Sequence, residues 1–195
     1  MINHKKKIIF IHIPKTGGQS IAKALGIAHP PSAKFAGLKH GTPNFAEHSK
    51  HWDKYFKFTW VRNPWDRLVS NYFYDLKMSE AGINVKGLRA LVKKFGKNKF
   101  KDFVKSGKFK SLGFYAPLFT WMPKGKQYDF IGKFENFEKD FEKLCGILQF
   151  KDIGLPHVNE TRHTHYSEYY DDEAKEIAGD YYAKDTKYFG YKFGE

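Results

Sequence analysis

An apolar, mostly β-branched run, Ile8-Ile9-Phe10-Ile11-His12-Ile13, stops at Pro14-Lys15-Thr16-Gly17-Gly18-Gln19, and a helical stretch, Ser20-Ile21-Ala22-Lys23-Ala24-Leu25, begins at once. That order predicts a strand, a tight loop and a helix start. Glycines let a loop turn sharply and bring its backbone close to a ligand. A helix start offers unpaired N–H groups and a partial positive charge, which suits an anion. Lys15 adds a full charge, and Thr16 and Ser20 add hydroxyls. The segment is suited to a phosphate-like group, so the chain reads as an enzyme of nucleotides or activated anions. It is not the Walker loop, in which the lysine closes the glycine-rich turn. Here the lysine opens it.

A second junction of the same kind lies further on. Phe58-Thr59-Trp60-Val61 is a short apolar strand, followed by Arg62-Asn63-Pro64-Trp65-Asp66-Arg67. Asn63 suits a helix N-cap and Pro64 the first helical position. Leu68, Val69, Tyr72, Phe73 and Leu76 then keep helical spacing, which predicts a buried stripe. Arg62 falls at the strand end and Ser70 in the second helical turn. An arginine fork binds phosphate through two parallel hydrogen bonds.

These two segments carry a resemblance. Pro14-Lys15-Thr16-Gly17-Gly18-Gln19-Ser20 resembles the 5′-phosphosulfate loop of the carbohydrate sulfotransferases of sulfotransferase family 2, the group of the heparan sulfate 2-O- and chondroitin enzymes. Arg62-Asn63-Pro64, with Arg67, Ser70 and Tyr72 behind it, resembles that family's 3′-phosphate motif. Ile131 to Phe137 resembles its strand with Phe-Glu-Asn, Leu155-Pro156-His157-Val158-Asn159 its loop near the nucleotide, and Asp185 to Tyr191 its ending. The resemblance therefore covers nearly the whole chain. It implies a P-loop-like three-layer sandwich with a mostly parallel central sheet flanked by helices. The implied donor is 3′-phosphoadenosine 5′-phosphosulfate, held by Pro14, Lys15, Thr16, Gly17, Gly18, Gln19, Ser20, Arg62, Ser70 and Asn159. Lys15 is the implied stabiliser of the leaving phosphate. His40, between the two nucleotide motifs, is placed like the catalytic base of the polysaccharide enzymes. His12, within the first strand, reads as a packed core histidine or one standing just behind the site, and Glu135 is the best carboxylate alternative for the base, although its place beside a helix cap suits a structural role. No metal is expected, because lysine and backbone N–H groups supply the positive potential.

The rest of the chain agrees with one α/β domain over residues 1–195. Strands alternate with helical stretches, which implies parallel pairing and ligands at the strand C-terminal ends. A helical region is expected near residues 86–106, a strand over residues 128–134, a helix capped by Asn136, and another amphipathic helix near Ala174 to Tyr181. Residues 26–50 read as a loop-rich crossover. The single cysteine, Cys145, reads as a buried core thiol and excludes an internal disulfide. No stretch is long enough to span a bilayer or to serve as a signal peptide. That favours a cytoplasmic enzyme of bacterial or viral type, or an excised Golgi-lumenal catalytic domain.

The formal charge is +13, with much of the excess between Lys86 and Lys110. Such a balance favours anionic partners. A nucleotide with several phosphates, an acidic polysaccharide or nucleic acid would satisfy it, and no nucleic-acid-binding signature accompanies it; the resemblance implies a nucleotide donor and a carbohydrate or other hydroxyl acceptor, acidic or neutral, and no nucleic acid. Phe95, Phe100, Phe103 and Phe109 interleave with the lysines, so this stretch is either a groove for an acidic glycan or a solvated face over a core stripe. Two other functions stay open at this level. One is a P-loop-type nucleotide kinase. The other is a non-enzymatic, basic polyanion-binding module.

Overall fold

The structure, a computed structural model, describes residues 1–27, 48–83, 87–150, 154–156 and 164–195. The chain forms two compact units interleaved in sequence: Met1–Arg62 with Leu118–Glu160, and Asn63–Pro117 with Thr161–Glu195.

The first unit is α/β. Its sheet has the order β1 (Ile2–Asn3), β2 (Ile8–Ile11), β3 (Phe56–Val61) and β4 (Phe130–Lys133). β2, β3 and β4 pair in parallel, and the short β1 pairs antiparallel at the edge. Helices α1 (Gly18–Ala24) and α5 (Phe137–Ile147) flank it. Strand side chains alternate between faces. Ile8, Phe10, Phe58 and Trp60 accordingly share one face and form one core with Ile21, Leu25, Phe141 and Leu144. Ile9 and Ile11 point the opposite way and pack with Trp52. Burial on both faces explains why β2 reads as a continuous apolar run.

Two details fix the register. Phe10 and Phe58 are direct neighbours on β2 and β3, and their rings stack at 4.8 Å with 6° between planes. Trp60 lies opposite Gly132 on β4, where a Cβ would sit 2.2 Å from the indole. Only glycine leaves room for that ring.

The second unit is helical: α2 (Pro64–Glu80), α3 (Leu88–Phe95), α4 (Phe100–Lys105), α6 (Asp172–Tyr181) and α7 (Ala183–Phe189), with 3₁₀ turns between. The expected helical region near residues 86–106 is thus two helices, parted after α3 by Gly96 at φ 68°. Asn63 caps α2 as expected, its Oδ1 accepting from the Trp65 N–H at 3.2 Å, with Pro64 behind it. Its Nδ2 donates to the Lys192 carbonyl at 2.9 Å, which ties the C-terminus to the same cap. Leu68, Val69, Tyr72 and Leu76 are buried, as their spacing predicts, whereas Phe73 is only half-buried against the same cluster. Asp171 caps α6 through the Ala174 N–H at 3.0 Å.

Two expectations are corrected. Asn136 precedes α5 but its side chain makes no cap; residues Phe134–Asn136 form a 3₁₀ turn, which already continues into the helix. Cys145 is half-buried at the edge of its cluster rather than in the core. Burial, and then the Glu142 carboxylate, push its thiol pKa up. Among the described residues, no helix is long and apolar enough to cross a membrane.

Candidate active site

The loop that follows β2 belongs wholly to the first unit. Lys15 has a left-handed backbone, φ 67°, and Gly17 another, φ 78°. A non-glycine residue in that region carries strain of about 1–2 kcal/mol. Thr16 is fully buried and its hydroxyl donates to the Ile13 carbonyl at 2.9 Å, drawing the loop into a tight turn. The Gly17 carbonyl then accepts the Ser20 N–H at 3.0 Å and starts α1. Ser20 is buried, Pro14 and Lys15 are half-buried, and Gln19 is exposed.

The two glycines are required by what lies behind them. A Cβ on Gly17 would sit 2.5 Å from the Phe137 ring, and a Cβ on Gly18 2.0 Å from the His12 ring. His12 follows β2 rather than lying inside the strand as expected, and it is half-buried with its ring packed behind Gly18. Its ring also stacks near Phe10, 5.8 Å between centroids. The loop therefore rests against a wall of rings.

Arg62, just beyond β3, joins this loop. Its Nη1 donates to the Lys15 carbonyl at 3.2 Å, and its guanidinium lies 4.0 Å over the Phe134 ring. Phe134 in turn packs on Phe137 at 5.3 Å. A closed circuit results: Phe137 behind Gly17, Phe134 beside Phe137, Arg62 on Phe134, and Lys15 under Arg62. The sequence placed Arg62 and Lys15 in separate motifs, and the structure brings them together. Phe134 is the residue that sequence reasoning missed. Its signal was present, as the aromatic of Phe-Glu-Asn directly after β4, but nothing in the sequence says that the ring faces an arginine. Glu135, its neighbour, is exposed.

Ser70 belongs to the second unit, where it is buried in α2. Arg67, one turn earlier, is fully buried. It donates through Nη1 to the Phe114 carbonyl at 3.3 Å and through Nη2 to the Ala116 carbonyl. Asn71 also donates to Phe114 O, at 3.0 Å. Arg67 is thus a structural arginine that ties α2 to residues 114–116. Below it, Tyr115 donates to Asp75 at 3.1 Å. Burial, and then the Asp75 charge, hold the Tyr115 phenol well above its usual range. His40, His157 and Asn159 lie outside the described residues. Among the described residues, no group of three or more His, Cys, Asp or Glu could hold a metal ion.

The arrangement in the first unit is a short glycine turn with one cation on it and a second hydrogen-bonded to it. The comparisons with known proteins bear on what such a loop serves. The chain is similar to human carbohydrate sulfotransferase 9, 24% identical over 198 residues covering 83% of this chain, and it spans 44% of that protein's length. It is also similar to an uncharacterized protein of Archaeoglobus fulgidus, 34% identical over 119 residues, covering 58% of this chain and 79% of that protein. No solved structure matches. The model of the sulfotransferase family matches residues 1–192, both phosphate-type junctions included, and the chain therefore belongs to the sulfotransferase family.

Proposed function

We propose that the chain transfers a sulfuryl group from 3′-phosphoadenosine 5′-phosphosulfate to an acceptor hydroxyl, that of a carbohydrate. The observation that carries this reading is the Pro14–Ser20 loop with Arg62 bonded to its Lys15 carbonyl, in a chain matched by the family over residues 1–192. The residues present suit such a donor. A tight turn that leads into a helix start offers unpaired backbone N–H groups to an anion, and Lys15 adds a full positive charge beside them.

Each residue then has a task. The loop holds the 5′ end of the donor. Lys15 neutralises the negative charge that grows on the 5′-phosphate oxygen as its bond to sulfur breaks. Arg62, stacked on Phe134, keeps its N–H donors in the plane of its fork and takes the 3′-phosphate with Ser70. Asn159 belongs to the same nucleotide site. The acceptor oxygen attacks sulfur in line with the departing oxygen, so one O–S bond forms as the other breaks. His40 takes the hydroxyl proton.

Calorimetry with the product nucleotide tests the donor. Wild type should bind 3′-phosphoadenosine 5′-phosphate far more tightly than AMP. A charge-assisted contact is worth about 1.5–3 kcal/mol, so Arg62→Ala should weaken the first by about tenfold to a hundredfold and leave AMP binding little changed. Equal affinity for both nucleotides in wild type, or tight binding of magnesium–ATP alone, would turn the reading toward a kinase.

A further inference from the structure

The turn between β1 and β2 gathers charge at one end of the first unit. Ile2 pairs with Ile9 and Asn3 with Ile8, so residues 4–7, His-Lys-Lys-Lys, make the connection. Its form is fixed: Asn3 Oδ1 accepts the Lys6 N–H at 3.0 Å, and Lys7 takes a left-handed backbone, φ 53°. His4 and the three lysines are exposed. Among the described residues, Lys5, Lys6 and Lys7 take part in no ion pair. The segment before β3 packs on this turn, with the His51 and Tyr55 rings 5.0 and 5.8 Å from that of His4. That segment adds exposed Lys50 and Lys54 against one exposed acid, Asp53.

Apolar side chains stand beside the charge. Lys6 Nζ lies 4.6 Å over the Phe150 ring, which brings the chain just past α5 against the turn. Phe150 is half-buried, and Ile147, the last residue of α5, is 52% exposed. Residues 146–150 hold no acid. A lone exposed isoleucine is ordinary, but one beside a lysine cluster selects among anionic partners. Single-stranded nucleic acid is held by open rings on which bases stack, and here the ring is half-buried with an amine over it. A hydrated acidic chain offers Ile147 no apolar contact. A bilayer uses both features. Anionic headgroups attract the amines, lysine stems lie along the surface with their charge in water, and apolar side chains enter the acyl boundary.

We propose that the β1–β2 turn and the end of α5 form a docking surface for a lipid bilayer that carries anionic headgroups. The surface stands apart from the Lys15 loop. The turn precedes β2 and the loop follows it, so the four residues of the strand, about 13 Å at 3.3 Å each, separate the two. Docking therefore leaves the loop open, and it rests neither on a donor nor on the function proposed above.

Vesicle sedimentation of the full chain tests it, with phosphatidylcholine vesicles compared with mixed phosphatidylcholine–phosphatidylserine ones. Wild type should bind the mixed vesicles and leave the neutral ones. A lysine near an anionic surface is worth about fivefold in affinity, so Lys5→Gln/Lys6→Gln/Lys7→Gln should lose about a hundredfold. Lys93→Gln/Lys94→Gln/Lys97→Gln removes the same charge from exposed positions of the second unit and should lose clearly less. Ile147→Ser should lose about fivefold, a loss that persists in salt that screens the lysines. If the turn variant fails to fold by circular dichroism, Lys5→Gln/Lys6→Gln keeps the left-handed Lys7 and should still lose about twentyfold. Equal losses in the two triple variants would overturn the proposal, because net charge alone would then explain binding. An Ile147→Ser protein with wild-type affinity would overturn it as well, since no apolar contact with lipid would exist. So would tighter binding of heparin or an oligothymidylate than of the mixed vesicles. Failure of nucleotide binding in wild type with the vesicle result intact would refute the transferase reading alone.

Discussion

Gly17→Ala concentrates the demands of the loop in one methyl group. The new Cβ would sit 2.5 and 2.6 Å from two atoms of the Phe137 ring, and the residue would have to keep φ 78°. An L residue in that backbone region costs about 1–2 kcal/mol, and overpacking a well-filled site about 1–3 kcal/mol. Restricting the unfolded chain returns about 0.4–1 kcal/mol. The net loss is therefore about 1–5 kcal/mol, against the roughly 5–15 kcal/mol that stabilises an ordinary domain. Urea unfolding followed by circular dichroism would measure it. Phe137→Leu supplies the second arm of a double-mutant cycle. It removes the ring atoms that the methyl meets, so it should cost less in the Gly17→Ala background than in wild type, with a coupling of about 1 kcal/mol or more. The backbone share should persist in the double variant. A Gly17→Ala protein within about 0.5 kcal/mol of wild type, or a coupling near zero, would refute the argument that the ring wall shapes this loop.

Other consequences are simpler to state. Lys15→Ala should bind 3′-phosphoadenosine 5′-phosphate within about tenfold of wild type yet transfer sulfate very slowly, because its charge acts chiefly in the transition state; near-normal turnover would make Lys15 only a loop residue. His40→Ala should leave donor affinity intact, lower transfer by about 10²–10⁴-fold and remove the acidic limb of the rate profile; retained activity, with loss of activity instead in Glu135→Gln or in a folded His12→Ala, would assign the base elsewhere. The Ala174 N–H, and then Lys105, hold the Asp171 carboxyl below its usual range. Its folded pKa is depressed, so its stabilisation is present above the ordinary carboxylate pKa and fades as pH falls through the folded one. Asp171→Ala should accordingly lower the urea midpoint at pH 7, and the gap to wild type should close in acid; a gap that does not change with pH would refute the cap.

Much of the fold was legible because its signals are local. The β2–loop–α1 junction declares itself through an abrupt change from apolar run to Pro-Lys-Thr-Gly-Gly, and the start of α2 through Asn63-Pro64. Parallel pairing of β2, β3 and β4 follows from strands separated by long crossovers. What the sequence hid depends on partners distant in the chain. Gly132 is glycine because Trp60 covers it from the neighbouring strand. Arg67 stands in the Arg-Asn-Pro phrase, and nothing in the sequence says that its guanidinium bonds the Phe114 and Ala116 carbonyls. Phe134 could have been any core aromatic; only the fold brings it under Arg62. In the lysine–phenylalanine stretch Phe100, Phe103 and Phe109 are core residues, Phe95 is half-buried against them, and most of the lysines are exposed, which periodicity alone does not tell. Asn136 misled because an asparagine before a helix suits a cap by type, whereas here the preceding 3₁₀ turn already runs into α5.

The most direct test of the central claim is product analysis of a single incubation. The full chain, 3′-phosphoadenosine 5′-phosphosulfate and a panel of glycans, acidic and neutral, would be analysed by mass spectrometry, with magnesium–ATP as the donor in a parallel reaction. The account predicts that at least one glycan gains one sulfuryl unit, that 3′-phosphoadenosine 5′-phosphate is released in equal amount, and that Lys15→Ala abolishes both. A gain of mass on an acceptor from magnesium–ATP, with none from the phosphosulfate donor, would contradict it.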